Sequence, residues 1–273
     1  MMTQMKNKIN TTVILPIHDI GCENFNDLFI KAVKSVDNNT VLPTELLIIS
    51  ANKTIKEYLE KNIPELEVSH RIIVNPNTSD YPTQVNYGVS QINTKYFSLL
   101  EFDDAYKPIW FENLEKYMIE YNDKEIFLPI ISEMNSKGNF VGLSNEPAWS
   151  FDFSDKLGEI NNETLLEFPN ISLCGMTMDK EVFINIGGLK PSIKLTFNYE
   201  FLLRYTYSGK NVLIIPKIGY EHTNMRPSSL FWEYKNSTDP NIKITPEESV
   251  FWMETAKKEY YYTEAREINK EEQ

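Results

Sequence analysis

The first hundred residues alternate between short apolar runs and amphipathic stretches, and this alternation restricts the chain to few folds. Four runs rich in β-branched and aromatic residues are typical of strands, at 11–17, 44–50, 69–74 and 96–101. The segments between them have helical spacing, at 25–36, 56–62 and 83–92. The predicted order is β-α-β-α-β-α-β. Strands that are apolar throughout indicate a mostly parallel, Rossmann-like α/β sheet with helices on both faces.

Three carboxylates follow the fourth predicted strand, in the sequence SLLEFDDAY: Glu101, Asp103 and Asp104. Carboxylates this close repel one another, so they need a cation, hydrogen bonds or open water to stay ionised. Ligands of such sheets bind beyond the carboxyl ends of the strands, which favours a binding role. The structural alternative is that Asp103 and Asp104 cap a helix that begins near Pro108.

Composition excludes several classes of protein. The 273 residues carry a formal charge of −12, which argues against nucleic acid as the main partner. The two cysteines, Cys22 and Cys174, are far apart in sequence, which favours a reducing compartment over a disulfide framework. No run reaches the roughly 18 apolar residues of a membrane span, and the N-terminus lacks the apolar core of a signal peptide. We therefore expect a cytoplasmic protein.

The second half of the chain has a different pattern. It predicts a strand near 126, a polar turn at 135–138, a loop over 143–158, a helix over 180–186 closed by two glycines, and a helix that begins near Asn198. The segment 211–222 is interpreted as a pair of strands around Pro216. A last helix begins at Pro246, which suits the first turn of a helix.

Over roughly residues 11–230 this order resembles the family 2 glycosyltransferases of the GT-A fold. Five segments in the same order carry the resemblance: PIHD (16–19), SANKT (50–54), QVNYG (84–88), LEFDD (100–104) and GGLKPS (187–192). The resemblance implies a GT-A domain over 1–230. Its nucleotide-sugar half would cover about 11–105 and its acceptor half about 106–230, followed by a C-terminal helical extension over 231–273.

The resemblance also implies a metal ion, Mn²⁺ or Mg²⁺, between the acidic cluster and the diphosphate of a nucleotide-sugar. Asp103 matches the principal metal-binding position of the family, and Glu101 replaces an aspartate there. His222 is a candidate third ligand, with a histidine satisfied by backbone as the alternative.

The donor pocket implied by the resemblance departs from the family pattern. Ser50 stands where an aspartate is usual and Val85 where an arginine is usual, so the base of the donor, UDP or GDP, is left open. The expected donor-site residues are Pro16, His18, Asp19, Ser50, Asn52, Asn86 and Arg226. Asp19, Asn52 and Asn86 are alternatively ordinary turn residues.

The segment expected to supply the catalytic base also departs from the family pattern. Asn198 occupies the position where the family has its acid and cannot take a proton, so Glu200 is the acid left in that motif. Glu200 is the base or, equally, the partner of Arg204 in a helical ion pair. Asn198 and Trp149 are expected on the acceptor side, with Trp149 as a stacking surface for a sugar.

The leading hypothesis is a metal-dependent, inverting glycosyltransferase that acts on a glycan or a lipid-linked hydroxyl. The alternative is a catalytically impaired protein of the same fold that binds nucleotide-sugars. A nucleotidyltransferase is disfavoured because no Gly-rich basic loop follows the first strand. The aromatic C-terminal helix is expected to pack on its own domain, with a second copy of the chain or a membrane surface as alternatives.

Overall fold

The computed structural model describes residues 6–76, 80–146, 158–224, 226–227 and 229–261. Within these residues, ten strands form one sheet: β1 (Lys8–Ile17), β2 (Leu42–Ser50), β3 (His70–Val74), β4 (Tyr96–Leu99), β5 (Ala105–Tyr106), β6 (Ile126–Met134), β7 (Phe140–Ser144), β8 (Glu159–Ile160), β9 (Thr177–Asp179) and β10 (Val212–Thr223).

Helices follow most of these strands. They are α1 (Phe25–Asp37), α2 (Lys53–Asn62), α3 (Tyr81–Ser90), α4 (Trp110–Glu120), α5 (Asn162–Glu167), α6 (Lys180–Asn185), α7 (Phe197–Thr206), α8 (Leu230–Asn236) and α9 (Pro246–Tyr260). The predicted β-α-β-α-β-α-β order of the first hundred residues is confirmed.

The sheet runs in the order β3-β2-β1-β4-β9-β6-β10-β5, with β7 on β6 and β8 on β10. The pairs β1–β2, β2–β3 and β1–β4 are parallel, as the apolar strands predicted. Strand β9 lies antiparallel between β4 and β6, and β10 is parallel to β6. The sheet is therefore mixed: its N-terminal strands are parallel, and the second half adds the antiparallel strand β9 and the parallel pair β6–β10.

The two faces of the sheet are covered by separate apolar cores. Along β1 the side chains alternate: Val13, Leu15 and Ile17 pack with α1, α2 and α4, while Ile14 packs with α3, α6 and α7. Helix α3 lies very close to the sheet, because a Cβ at Gly88 would come within 2.9 Å of Ile14 Cγ2. The α/β fold with helices on both faces is thus the one expected.

Strand β10 corrects one prediction. The segment around Pro216 was interpreted as two strands, but it forms one strand with shifts in its pairing with β6 between Ile215 and Tyr220. Proline cannot donate a backbone hydrogen bond, so it interrupts the ladder without ending the strand. The continuous strand carries its last residues, His222 and Thr223, to the edge where β4 ends.

The C-terminal helix α9 packs on α7, and its Trp252, Met253 and Tyr260 contact the core shared by α3, α6 and α7. Hydrogen bonds from Asn162 Nδ2 to the Tyr260 carbonyl and from Lys190 Nζ to the Tyr260 hydroxyl fasten its end. Of the helices described, none combines the length and apolarity that crossing a bilayer requires.

Candidate active site

Strand direction brings three segments to one edge of the sheet. Strand β9 is antiparallel to both β4 and β6, so β4, β6 and β10 share one direction. Their carboxyl ends therefore meet at one edge, and so does the amino end of β9. This edge collects the acidic cluster after β4, His222 at the end of β10, and Cys174 just before β9.

Four side chains converge at this edge: Glu101, Asp104, Cys174 and His222. One ligand atom from each lies within 4.8 Å of the others. His222 Nδ1 is 2.9 Å from Asp104 Oδ2, and Cys174 Sγ is 3.5 Å from Glu101 Oε1 and 3.9 Å from His222 Nδ1.

Asp104 is fully buried and holds the end of β10 in place. Its Oδ1 accepts a hydrogen bond of 2.8 Å from the Thr223 backbone N–H, while Oδ2 faces His222. The capping alternative is wrong, because α4 begins after Ile109 and no side chain among the described residues caps it. Sequence proximity predicts that Asp104 caps the helix, but its partners, His222 and Thr223, lie on a distant strand.

Asp103 is engaged differently from its two acidic neighbours. Its Oδ2 accepts a hydrogen bond of 2.6 Å from Arg226 Nε, and both side chains are nearly buried. The guanidinium of Arg226 also lies over the Phe102 ring, 4.9 Å from its centroid. Asp103, predicted as the main metal ligand, therefore has a cationic partner and lies outside the four-residue cluster.

The electrostatics of the cluster reflect burial of several acids together. Burial, with the charge of Asp104, raises the pKa of Glu101 to about 8, and the same two causes raise the pKa of Asp103 despite Arg226. Burial alone would lower the pKa of His222, but Asp104 and Cys174 raise it well above its usual value. Burial raises the pKa of Cys174 to about 12, so this thiol is not an activated nucleophile.

These donors fit a divalent cation. Two carboxylates, an imidazole and a thiol lie close enough to share one ion, and a cation would offset the charge that the buried acids carry. Glu101 and His222 belong to the metal set predicted from sequence, while Asp104 and Cys174 do not.

A cavity of about 200 Å³ opens beside the cluster. Its aromatic side is formed by three rings from three helices, Tyr81, Phe197 and Phe231, whose centroids lie 5.7 to 6.0 Å apart. Asn198 also lines this cavity, and its buried Oδ1 has no hydrogen-bond partner among the described residues. The cavity thus combines an apolar wall with polar lining residues such as Asn198.

A smaller cavity adjoins the first and shares Glu101 and Asp103 with it. Pro16, His18 and Arg226 line this second cavity, so three of the expected donor-site residues lie together. Burial is the main cause that lowers the pKa of His18, with the charge of Arg226 acting in the same direction and that of Asp19 opposing it.

The remaining expected donor-site residues have other partners or open surroundings. The Ser50 hydroxyl donates to the Ile73 carbonyl, Asn52 caps α2 through the Ile55 N–H, and Asn86 forms two hydrogen bonds with the Leu189 backbone. Asp19 is exposed beyond the end of β1.

Glu200 is buried in an ion pair. It is 3% exposed, and its carboxylate accepts hydrogen bonds from Arg204 Nε at 2.8 Å, Arg204 Nη2 at 3.0 Å and Lys190 Nζ at 2.8 Å. Arg204 also donates to the Ile186 and Gly188 carbonyls. The Glu200–Arg204 pair thus connects α7 to the turn after α6. Glu200 does not line either cavity described above.

Sequence reasoning did not identify Cys174 and Tyr81, and it named Asp104 in the acidic cluster without assigning it as a ligand. Cys174 lies shortly before β9. Its position predicts a place at this edge of the sheet only if β9 is known to be antiparallel to β4. Trp149, expected at the acceptor, lies outside the residues that the structure describes.

Fold and site together define a GT-A-like α/β protein with a candidate ligand site at the carboxyl edge of its sheet. The chain belongs to glycosyl transferase family 2, whose sequence model matches residues 12–187. A stretch of 95 residues is 30% identical to an uncharacterized glycosyltransferase of Haemophilus influenzae. That stretch covers 34% of this chain and 29% of the relative, so this chain matches less than a third of the relative's length.

Solved structures of S. aureus TarS have the same fold. TarS 1-349 in complex with UDP-GlcNAc superposes with a TM-score of 0.64 at 13% identity, over 91% of this chain and 65% of that one. A second TarS structure gives a TM-score of 0.58 at 12% identity, over 79% of this chain and 37% of that one. At these identities the likeness concerns the fold alone.

Proposed function

We propose that this family 2 glycosyltransferase transfers a sugar, of the hexose class, from a nucleotide-sugar to a hydroxyl acceptor, with a divalent cation and with inversion. The observation that carries the proposal is the cluster of Glu101, Asp104, Cys174 and His222 beside a cavity of about 200 Å³. The cluster offers the donors that a cation needs, and the cavity lies on its open side.

The diphosphate of the donor would lie where the two cavities meet. Arg226 lines the smaller cavity and can exchange its bond to Asp103 for phosphate oxygens, since guanidinium binds both groups in the same way. TarS has been solved with UDP-GlcNAc and with UDP, which supports a UDP-sugar as the first donor to test, ahead of a GDP-sugar.

Glu101, Asp104 and His222 would hold the cation, either Mn²⁺ or Mg²⁺. A divalent ion there supplies charge stabilisation to the departing diphosphate. The protein's own contribution is to fix the ligands in advance: Tyr220 accepts a hydrogen bond from the Glu101 N–H, and the Thr223 N–H orients Asp104. Such support from outside the ligand set commonly decides how tightly a cation is held.

The acceptor would occupy the aromatic end of the larger cavity. Tyr81 and Phe231 offer faces on which a sugar ring can pack. Asn198 Oδ1 is buried, and a rotation of its side chain would let it accept a hydrogen bond from the attacking hydroxyl. Glu200 as the base stays a prediction. Its carboxylate would have to leave Lys190 and Arg204 to reach that hydroxyl.

A cytoplasmic enzyme in contact with a membrane would suit a lipid-linked acceptor, and a glycan acceptor would need no such contact. Helix α9 exposes Val250 and Phe251, at 57% and 60%, which supports a peripheral contact or a second copy of the chain on this face.

A second candidate function is nucleotide-sugar binding without efficient transfer. The specific observation is that Glu200, the acid of α7, is buried in an ion pair. The residue of the same helical turn that lines the cavity is Asn198, an amide. A site that binds the donor and lacks a base near the acceptor hydroxyl would lose roughly 100- to 10,000-fold in rate.

The test is release of nucleoside diphosphate from a panel of UDP- and GDP-sugars with Mn²⁺ or Mg²⁺, with and without hydroxyl acceptors. We expect Asp104→Asn to lower turnover at least about 100-fold. Asp123→Asn changes an exposed aspartate and is the matched control. Tight donor binding with no diphosphate released over long incubation would favour the second candidate, and absence of donor binding would refute both.

A further inference from the structure

We propose that Cys174 is a ligand of the cation, so that this site prefers thiophilic divalent ions of the zinc, cobalt and cadmium class over Mg²⁺. The inference deepens the metal site of the proposed function and concerns the identity of the ion. Hard ions such as Mg²⁺ take oxygen ligands in octahedral sites, whereas thiolate and imidazole favour zinc-like ions.

The spacing of the ligand atoms suits a tetrahedral ion. Bonds of about 2.0 Å to nitrogen or oxygen and about 2.3 Å to sulfur place neighbouring ligand atoms roughly 3.3 to 3.5 Å apart. The Cys174 sulfur is 3.5 Å from Glu101 Oε1 and 3.9 Å from His222 Nδ1, and His222 Nδ1 is 2.9 Å from Asp104 Oδ2. These three spacings are within about half an ångström of the tetrahedral values, and the remaining ones, up to 4.8 Å, would have to shorten as the side chains close on the ion.

The backbone around Cys174 is fixed on both sides. Gly175 has φ +71°, and a Cβ there would lie 2.7 Å from the Tyr220 ring, so the chain passes very close to β10. On the other side, the Asn145 side chain holds both the N–H and the carbonyl of Ser172, and the Ser172 hydroxyl accepts the Cys174 N–H. The backbone that carries the sulfur is thereby fixed before any ion binds.

The charges of the cluster also favour a bound divalent ion. Arg226 is bound to Asp103, so its guanidinium does not neutralise Glu101 and Asp104. A divalent ion can balance these carboxylates, and the protons on the ligating nitrogen of His222 and on the Cys174 thiol would pass to solvent, since metal binding commonly releases protons from its ligands. The other cysteine, Cys22, lies outside the cluster and provides a matched control.

The experiment is titration of the purified full chain with Co²⁺, followed by absorption spectroscopy. Wild type and Cys22→Ser are expected to show a sulfur-to-cobalt charge-transfer band in the near ultraviolet at one equivalent. Cys174→Ser is expected to lack the band and to bind Zn²⁺ at least about 10-fold more weakly. Circular dichroism checks that each variant is folded.

A band that persists in Cys174→Ser, Co²⁺ bound without a sulfur band in the wild type, or no Co²⁺ binding would each overturn the inference. The readout needs no turnover, so it separates this inference from the proposed function. Sugar transfer with Mn²⁺ but no sulfur band would refute the inference alone. A sulfur band without transfer activity would refute the proposed function alone.

Discussion

His222 Nδ1 lies 2.9 Å from Asp104 Oδ2, although 118 positions separate the two residues in the chain. This contact joins the end of β10 to the segment that follows β4, and it closes one side of the ligand cluster. The Thr223 N–H adds a second bond to the same carboxylate. The acidic segment is therefore part of a site assembled from distant strands.

Glu200→Gln should destabilise the protein by about 3 kcal/mol, because removing one partner leaves Arg204 buried without its counter-charge. Glu181→Gln, at an exposed helix position, should change the free energy of unfolding by less than about 0.5 kcal/mol. Urea unfolding measures both. If Glu200→Gln unfolds like wild type while turnover falls more than about 1,000-fold, the base assignment is supported and the structural role is wrong.

Asn198→Asp should raise the turnover number by at least about 10-fold, since it places a carboxylate on a residue that lines the cavity. Asn198→Ala removes the amide without adding a base and should not raise it. Steady-state kinetics with a hydroxyl acceptor distinguish the two. Equal rates in folded Asn198→Asp and wild type would remove Asn198 from the acceptor site.

Gly175→Ala and Gly138→Ala form a matched pair, because both glycines have positive φ, +71° and +77°. A Cβ at Gly138 meets nothing within 4 Å, so that change should cost only the backbone strain of about 1 to 2 kcal/mol. A Cβ at Gly175 meets the Tyr220 ring, which should add about 1 to 3 kcal/mol. Thermal unfolding tests this, and equal costs would contradict the tight packing of Gly175 against β10.

Arg226→Gln should weaken UDP binding by about 10-fold or more, because a charge-assisted hydrogen bond contributes about 1.5 to 3 kcal/mol. Arg71→Gln, in an exposed pair with Glu45, is the control and should bind UDP like the wild type. Isothermal titration calorimetry with UDP measures both affinities. Unchanged affinity in Arg226→Gln would show that Arg226 serves only to neutralise Asp103.

Much of the fold was predictable because its signals are local. The apolar strands β1 to β4, the helices between them and the turn at Gly138 all follow from periodicity and glycine placement. Strand β10 was misjudged because Pro216 is a local signal for a break, whereas pairing with β6 on one side and short strands on the other keeps the strand continuous.

The site was less predictable, because its contacts join distant parts of the chain. Asp103 and Asp104 are neighbours in sequence but have different partners. Asp103 binds Arg226, 123 positions away, and Asp104 binds the Thr223 N–H, 119 positions away. Local sequence carries no signal for that division. The Glu200–Arg204 pair was foreseeable from its helical spacing, but Lys190 as the third member depends on how α6 turns into α7.

The central claim is that Glu101, Asp104 and His222 hold a cation against the diphosphate of a nucleotide-sugar. A crystal structure with UDP and Mn²⁺, with diffraction measured at the manganese absorption edge, tests it most directly. We expect an anomalous peak at bonding distance from at least two of these side chains, with the diphosphate beside it and near Arg226. A manganese ion bound elsewhere, or UDP bound away from this edge of the sheet, would contradict the account.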